Sequence, residues 1–78
     1  MAAPSVFDTL DATILAAHGA GDGAELAYAY GAAADAHAAR GAIDVACFFY
    51  TQAYIFALEA GLPQAERYAA VLRQNGRL

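Results

Sequence analysis

The stretch that decides the fold is residues 45–58, VACFFYTQAYIFAL, in which only Thr51 and Gln52 are clearly polar. At about 100° per residue its apolar side chains point to both halves of a helix. One half carries Val45, Phe49 and Phe56, the other Tyr50, Tyr54 and Ala57, and Phe48 with Ile55 fills a flank. A helix that is apolar nearly all round is central and touched by several neighbours. The run is shorter than the roughly 20 residues of a membrane span, so we expect a buried helix and no membrane segment.

Residues that commonly start or end helices lie on both sides of this run and predict three more helices. Gly21, Gly41 and Gly61 recur every 20 residues and divide the chain into four helix-sized segments, since glycine commonly ends a helix. Each segment opens with a start signal. These signals are Ser5 with Asp8, Asp22 with Glu25, Asp44, and Pro63 at the first helical position.

Short links between the segments make consecutive helices antiparallel neighbours. The expected fold is therefore all-α, with residues 1–78 as one domain of two helical hairpins, about 5–40 and about 44–75. The expected packing faces are Phe7, Leu10, Ile14 and Ala17 on the first helix, Leu26, Tyr30, Ala33 and His37 on the second, and Ala65, Tyr68, Ala69 and Leu72 on the fourth. The hairpins either stack as a repeat or close into an ordinary four-helix bundle.

Composition excludes several classes of protein. Apolar residues make up 60% of the chain and charged residues 15%, which is the opposite of a disordered sequence. The net charge is −4 and there is no lysine, so no basic stripe is present for a nucleic acid. A single cysteine gives neither an internal disulfide nor a metal-ligand set, and a cytoplasmic location is expected.

Residues with catalytic or metal-binding chemistry are few and scattered. His18 and His37 are predicted at opposite ends of the first hairpin, which makes a shared metal or haem awkward, and no cofactor is expected. Cys47 has no cation beside it in sequence and is read as a buried structural residue. Asp8 and Asp11 are read as solvated carboxylates of the first turns of a helix. We therefore expect a protein that is not an enzyme.

The spacing of large and small residues resembles tetratricopeptide repeats. The segment from Gly21 and Asp22 through Leu26, Tyr30 and Ala33 follows the turn and second helix of that motif. Tyr50, Ala53, Tyr54 and Ala57 before Gly61 look like the packing positions of a first helix. The fourth helix departs from the motif, because Glu66 and Arg73 stand where small residues belong.

The resemblance implies a non-catalytic module that binds proteins in a concave groove lined by first helices. Carried over to this chain, that face of the third helix shows Phe48, Thr51, Ile55, Leu58 and Glu59. The lysines with which some family members grip a terminal carboxylate are absent here, so an apolar partner is expected instead. The alternative function is a small-ligand or cofactor-binding helical bundle whose aromatic core is the pocket.

The apolar content also predicts self-association. A stack of only two hairpins leaves both ends uncovered, and a two-fold dimer is the commonest way to cover such surface. The expected contact is the aromatic third helix or the alanine face of the second.

Overall fold

Four α-helices connected by short turns make up the protein. The computed structural model describes residues 5–78; the first four residues of the predicted domain lie outside that range. The helices are α1 (Val6–Ala20), α2 (Gly23–Ala39), α3 (Ile43–Glu59) and α4 (Gln64–Gln74), and there is no strand between residues 5 and 78. The all-α prediction is confirmed, and each predicted hairpin agrees with the structure to within a residue or two.

The predicted start signals are confirmed at two helices and wrong at two. Ser5 caps α1 in a complete capping box with Asp8, and Asp22 caps α2 by accepting from the amides of Ala24 and Glu25. The side chain of Glu25 makes no reciprocal bond to Asp22 in this structure, so the second box is only half formed. Helix α3 starts at Ile43 without a side-chain cap, which places Asp44 inside the first turn, and Pro63 precedes α4 as its N-cap.

The helices form an open array and not a closed bundle. The extensive packing is between consecutive helices, above all between α2 and α3, while α4 touches α2 only locally. The Cα atoms span 41 × 30 × 14 Å. A square bundle with axes about 10 Å apart would be about 15 Å across in two directions. Within residues 5–78, α1 and α4 therefore do not come together to close the array.

The core lies where α2, α3 and α4 meet. Its side chains are small apart from two tyrosines and a leucine, and they are Ala27, Ala34, Ala46, Cys47, Tyr50, Ala53, Ala57, Ala65, Tyr68 and Leu72. The predicted face of α4 is buried in full, and the burial of Cys47 is confirmed. The prediction for α3 is wrong in part. Its buried side is the one with Tyr50 and Ala57, whereas Val45 is exposed, because α4 covers only one flank of the helix.

A network of three polar side chains ties α4 to α2 and α3. The Tyr50 hydroxyl donates to Oδ1 of Asp35 at 2.6 Å, and Arg67 donates to both carboxylate oxygens at 3.0 and 3.2 Å. Burial, and then the bond to Asp35, raises the pKa of Tyr50 to about 12. Burial opposes ionisation of Asp35, but the bonds from Arg67 and Tyr50 outweigh it and keep the pKa of that carboxyl below its usual value.

The network predicts a loss of stability at alkaline pH. Because the folded-state pKa of Tyr50 is raised from 10.0 to about 12, its stabilising effect is complete below pH 10 and declines between pH 10 and 12 as the unfolded chain ionises first. The contribution to the slope is at most about 1.4 kcal/mol per pH unit, the value for one proton. Urea unfolding across this window should show a shallower pH dependence in Tyr50→Phe. The same change at exposed Tyr28 should leave the slope unaltered, and equal slopes in all three proteins would contradict the assignment.

A second prediction concerns Gly31, which lies against Tyr68. A Cβ built on Gly31 would lie 2.8 Å from Cζ of Tyr68 and closer still to its hydroxyl. Gly31→Ala should therefore lower the free energy of unfolding by about 1–2 kcal/mol, even though alanine is the better helix former. The loss should be smaller in a Tyr68→Phe background, since the nearest atom is then gone.

The control is Gly19→Ala, because Gly19 lies in α1 and a Cβ built on it has no contact within 4 Å outside its own helix. That change should stabilise by up to about 1 kcal/mol. Thermal unfolding followed by circular dichroism measures the four variants, which are Gly31→Ala, Tyr68→Phe, the double variant that combines them, and Gly19→Ala. A Gly31→Ala protein as stable as Gly19→Ala would show that Tyr68 does not fix the distance between α2 and α4.

Candidate functional site

The candidate site is the face that α3 turns away from the core. Among the described residues, the exposed large apolar side chains of this helix are Ile43, Val45, Phe48, Ile55 and Leu58. The most exposed is Phe48, at 60% of its full accessibility, near the middle of the helix. We use the name α3 face for Val45, Phe48, Ile55 and Leu58 together with Thr51 and Glu59.

The structure places the five residues carried over from the resemblance as follows. Phe48, Ile55, Leu58 and Glu59 are exposed and share this face. Thr51 lies between them but is half-buried, and its hydroxyl donates to the carbonyl of Cys47 at 2.8 Å. The hydroxyl is thus satisfied within its own helix, and Thr51 contributes mainly its methyl group to the surface.

Next to the α3 face, a row of aromatic and histidine rings joins α1, α2 and α3. The members of this aromatic row, in spatial order, are Phe7, His37, Phe49, Tyr30, Phe56 and His18. The centroids of successive rings lie 4.6 to 6.1 Å apart, which is the range of favourable aromatic contacts. Phe48 extends the row sideways by an edge contact with Phe49 at 5.4 Å.

The two histidines are structural members of this row. His37 is stacked between Phe7 and Phe49, and its Nδ1 accepts from Nε of Arg40 at 3.1 Å. Because a guanidinium can only donate, Nδ1 is the acceptor in this contact. His18 is hydrogen bonded to the Tyr30 hydroxyl at 2.8 Å and meets Phe56 edge-on. The histidines thus occupy separate places in the row, and no group of three potential metal ligands is found between residues 5 and 78.

Sequence reasoning placed Tyr30 and His37 on the packing face of α2 but missed that these rings connect three helices. The i to i+7 spacing of Tyr30 and His37, repeated by Phe49 and Phe56, was the available signal. Because α2 and α3 are antiparallel, pairs with the same spacing bring Tyr30 against Phe56 and His37 against Phe49. The row is also why Phe49 is half-buried and not a core residue.

A shallow hollow of about 250 Å³ lies elsewhere, on the seam between α1 and α2. Its lining is Thr13, Ala16, Ala17, Ala20, Asp22 and Glu25. No aromatic ring reaches it, so it does not match the aromatic pocket expected for the ligand-binding alternative. In the aromatic row the rings fill the space between the helices themselves.

Comparison with family models, with curated proteins and with solved structures finds no match for this chain. No helix of residues 5–78 is long and apolar enough to cross a membrane. The function must therefore be argued from the α3 face itself.

The aromatic row generates a prediction about α1. This helix buries only one residue, Ala17, so its attachment depends strongly on the ring contacts of half-buried Phe7 and of exposed His18. Amide hydrogen exchange should be faster throughout α1 than in α2 and α3. His37→Ala, which removes the centre of the stack, should raise the α1 rates further and leave α4 unchanged. Tyr28→Ala, on the exposed side of α2, is the control; equal protection of α1 and α3 would contradict this account.

Proposed function

We propose that this protein is a non-catalytic interaction module that binds another protein, or a second copy of itself, through the α3 face. The observation that carries the proposal is the exposure of Phe48 in the middle of that face. Burying such a ring is worth about 1.5–3 kcal/mol. A contiguous group of exposed apolar side chains marks a surface that is covered in a complex.

The exposed apolar surface is a feature of the α3 face, because the accessible area of the whole protein is ordinary for its size. The accessible area is 4570 Å², close to the about 4,500 Å² expected for a compact monomer of 8.1 kDa. The chain therefore buries as much surface as a typical protein of its size. A second copy is not needed to complete its burial in general, and the case for a partner rests on where the apolar surface is concentrated.

The open array favours the repeat-like interpretation over a closed ligand-binding bundle. Stacked hairpins leave one side of their first helices free, and α3 is the first helix of the second hairpin. The alanine face of α2, the other surface expected to mediate self-association, is largely used within the chain. Ala27, Ala29, Ala33 and Ala34 are all buried. The α3 face is the surface that remains.

The test pairs Phe48→Ser with Ile55→Ser. Both residues are exposed, so each change should alter the free energy of unfolding by no more than about 0.5 kcal/mol. Each should abolish whatever association the unmodified protein shows in sedimentation velocity and in cross-linked pull-downs. Tyr28→Ser, at 43% exposure on α2, is the matched control and should associate like the unmodified protein. An unchanged set of cross-linked partners in the Phe48→Ser protein would overturn the proposal.

A further inference from the structure

The charges around the α3 face indicate what kind of partner fits it. Two carboxylates, Asp44 and Glu59, bracket the apolar residues on the same side of the helix. The sequence intervals from Asp44 to Phe48, Ile55 and Glu59 are 4, 11 and 15 residues, which repeat the helical period. At 1.5 Å per residue the two carboxylates lie about 22 Å apart along the axis.

A third exposed carboxylate lies on α1, on the side of that helix that carries its two members of the aromatic row. Asp11 is four residues after Phe7 and seven before His18, the two α1 members of the aromatic row that contact α2 and α3. It is exposed, and neither it nor Glu59 has an ion-pair partner among residues 5–78. Of the arginines in the described part, Arg67 is paired with Asp35 on the α4 side, and Arg40 is bonded to His37.

One of these carboxylates, Asp44, already binds a guanidinium group within the protein. Arg77, in the segment after α4, donates from its terminal nitrogen to Oδ1 of Asp44 at 2.5 Å. The side chain of Asp44 is nevertheless 91% exposed, so further groups have access to it. At the other end of the face, Glu59 presents the same chemistry with no internal guanidinium.

From this arrangement we propose that the occupant of the α3 face is a basic amphipathic helix of another protein, with an apolar stripe and lysine or arginine beyond each end of it. This inference rests on the proposed function. Its apolar stripe covers Phe48 and Ile55, and its cations meet Glu59, Asp11 and the exposed side of Asp44. Complementary rim charges of this kind steer association and exclude wrong partners.

The same charges disfavour a two-fold dimer through this face. In an isologous contact the same patch is present on both sides. An antiparallel pairing of two α3 helices brings Asp44 of one copy beside Glu59 of the other, and a parallel pairing brings Glu59 beside Glu59. The parallel arrangement places like charges together. In the antiparallel one Arg77 already offsets the charge of Asp44, so the repulsion there is smaller, and a foreign helix of opposite charge avoids it in both.

The test uses three synthetic helices of about 18 residues, long enough to span the face. They share one leucine stripe and carry lysine, glutamine or glutamate on the polar side. Fluorescence anisotropy with the intact protein should show the lysine helix binding about tenfold more tightly than the glutamine helix, as two rim ion pairs would give. The glutamate helix should bind most weakly, and the lysine helix should lose affinity as salt is raised.

Single substitutions in the protein distinguish the contribution of the carboxylates to binding from that of the apolar side chains. Glu59→Gln and Asp11→Asn should each weaken the lysine helix about two- to fivefold and leave the glutamine helix unaffected. Phe48→Ser should abolish binding of both. Glu66→Gln, an exposed carboxylate on α4, is the matched control and should change neither affinity.

The outcomes distinguish the inference from the proposed function. If all three helices bind equally and Glu59→Gln has no effect while Phe48→Ser still abolishes binding, the basic partner is wrong and the interaction face stands. If sedimentation gives a dimer that Phe48→Ser dissociates, the occupant is a second copy, which likewise overturns the inference alone. If the lysine helix binds the Phe48→Ser protein as tightly as the unmodified one, both are overturned.

Discussion

The close contact between Tyr68 and Gly31 is the constraint on which the rest of the structure depends. Tyr68 is one of the two largest fully buried side chains, and it reaches from α4 across to the backbone of α2. Only a residue without a Cβ admits the ring at that distance. The contact places α4 on one flank of α3, and the alanines of the core close around it. Because α4 packs on the side of α3 that carries Tyr50 and Ala57, the opposite side, with Phe48 and Ile55, is left free.

This packing explains how a chain with 60% apolar residues can be compact and still expose phenylalanine. Alanine supplies much of the apolar count, and alanine fills the core at low volume, so helices approach closely without large side chains. The large rings then have little room inside. Two tyrosines enter the core, with the Tyr50 hydroxyl bonded to Asp35, and most of the other rings line up beside α1 or face outward on α3. Composition alone therefore overestimates how much of the aromatic content is core.

The sequence predicted helices, turns and the α4 face well because those features depend on local signals. Ser5, Asp22 and the glycines act within one turn of helix, and Ala65, Tyr68, Ala69 and Leu72 follow a single helical period. It failed on α3 for the opposite reason. Residues 45–58 are apolar on nearly every side, so periodicity could not say which flank α4 would cover. Two contacts join residues more than thirty positions apart: that of Tyr68 with Gly31 and the bond of Arg67 to Asp35. No local pattern in the sequence predicts either of them.

The aromatic row connects this packing to the proposed function. It attaches α1 mainly to α2, with one ring contact to α3. Because α1 has little other burial, the row fixes where α1 stands relative to the α3 face. Phe48 contacts Phe49, which stacks on His37, which in turn stacks on Phe7. This chain of rings runs from Phe48 on α3 to Phe7 on α1, and Asp11 is one helical turn after Phe7. A partner helix that covers Phe48 and pairs with Asp11 therefore contacts α3 at one end of the chain and α1 near the other. Such a partner contacts α1 and α3 together, and its binding energy is available to stabilise the weakly buried α1 in its docked position.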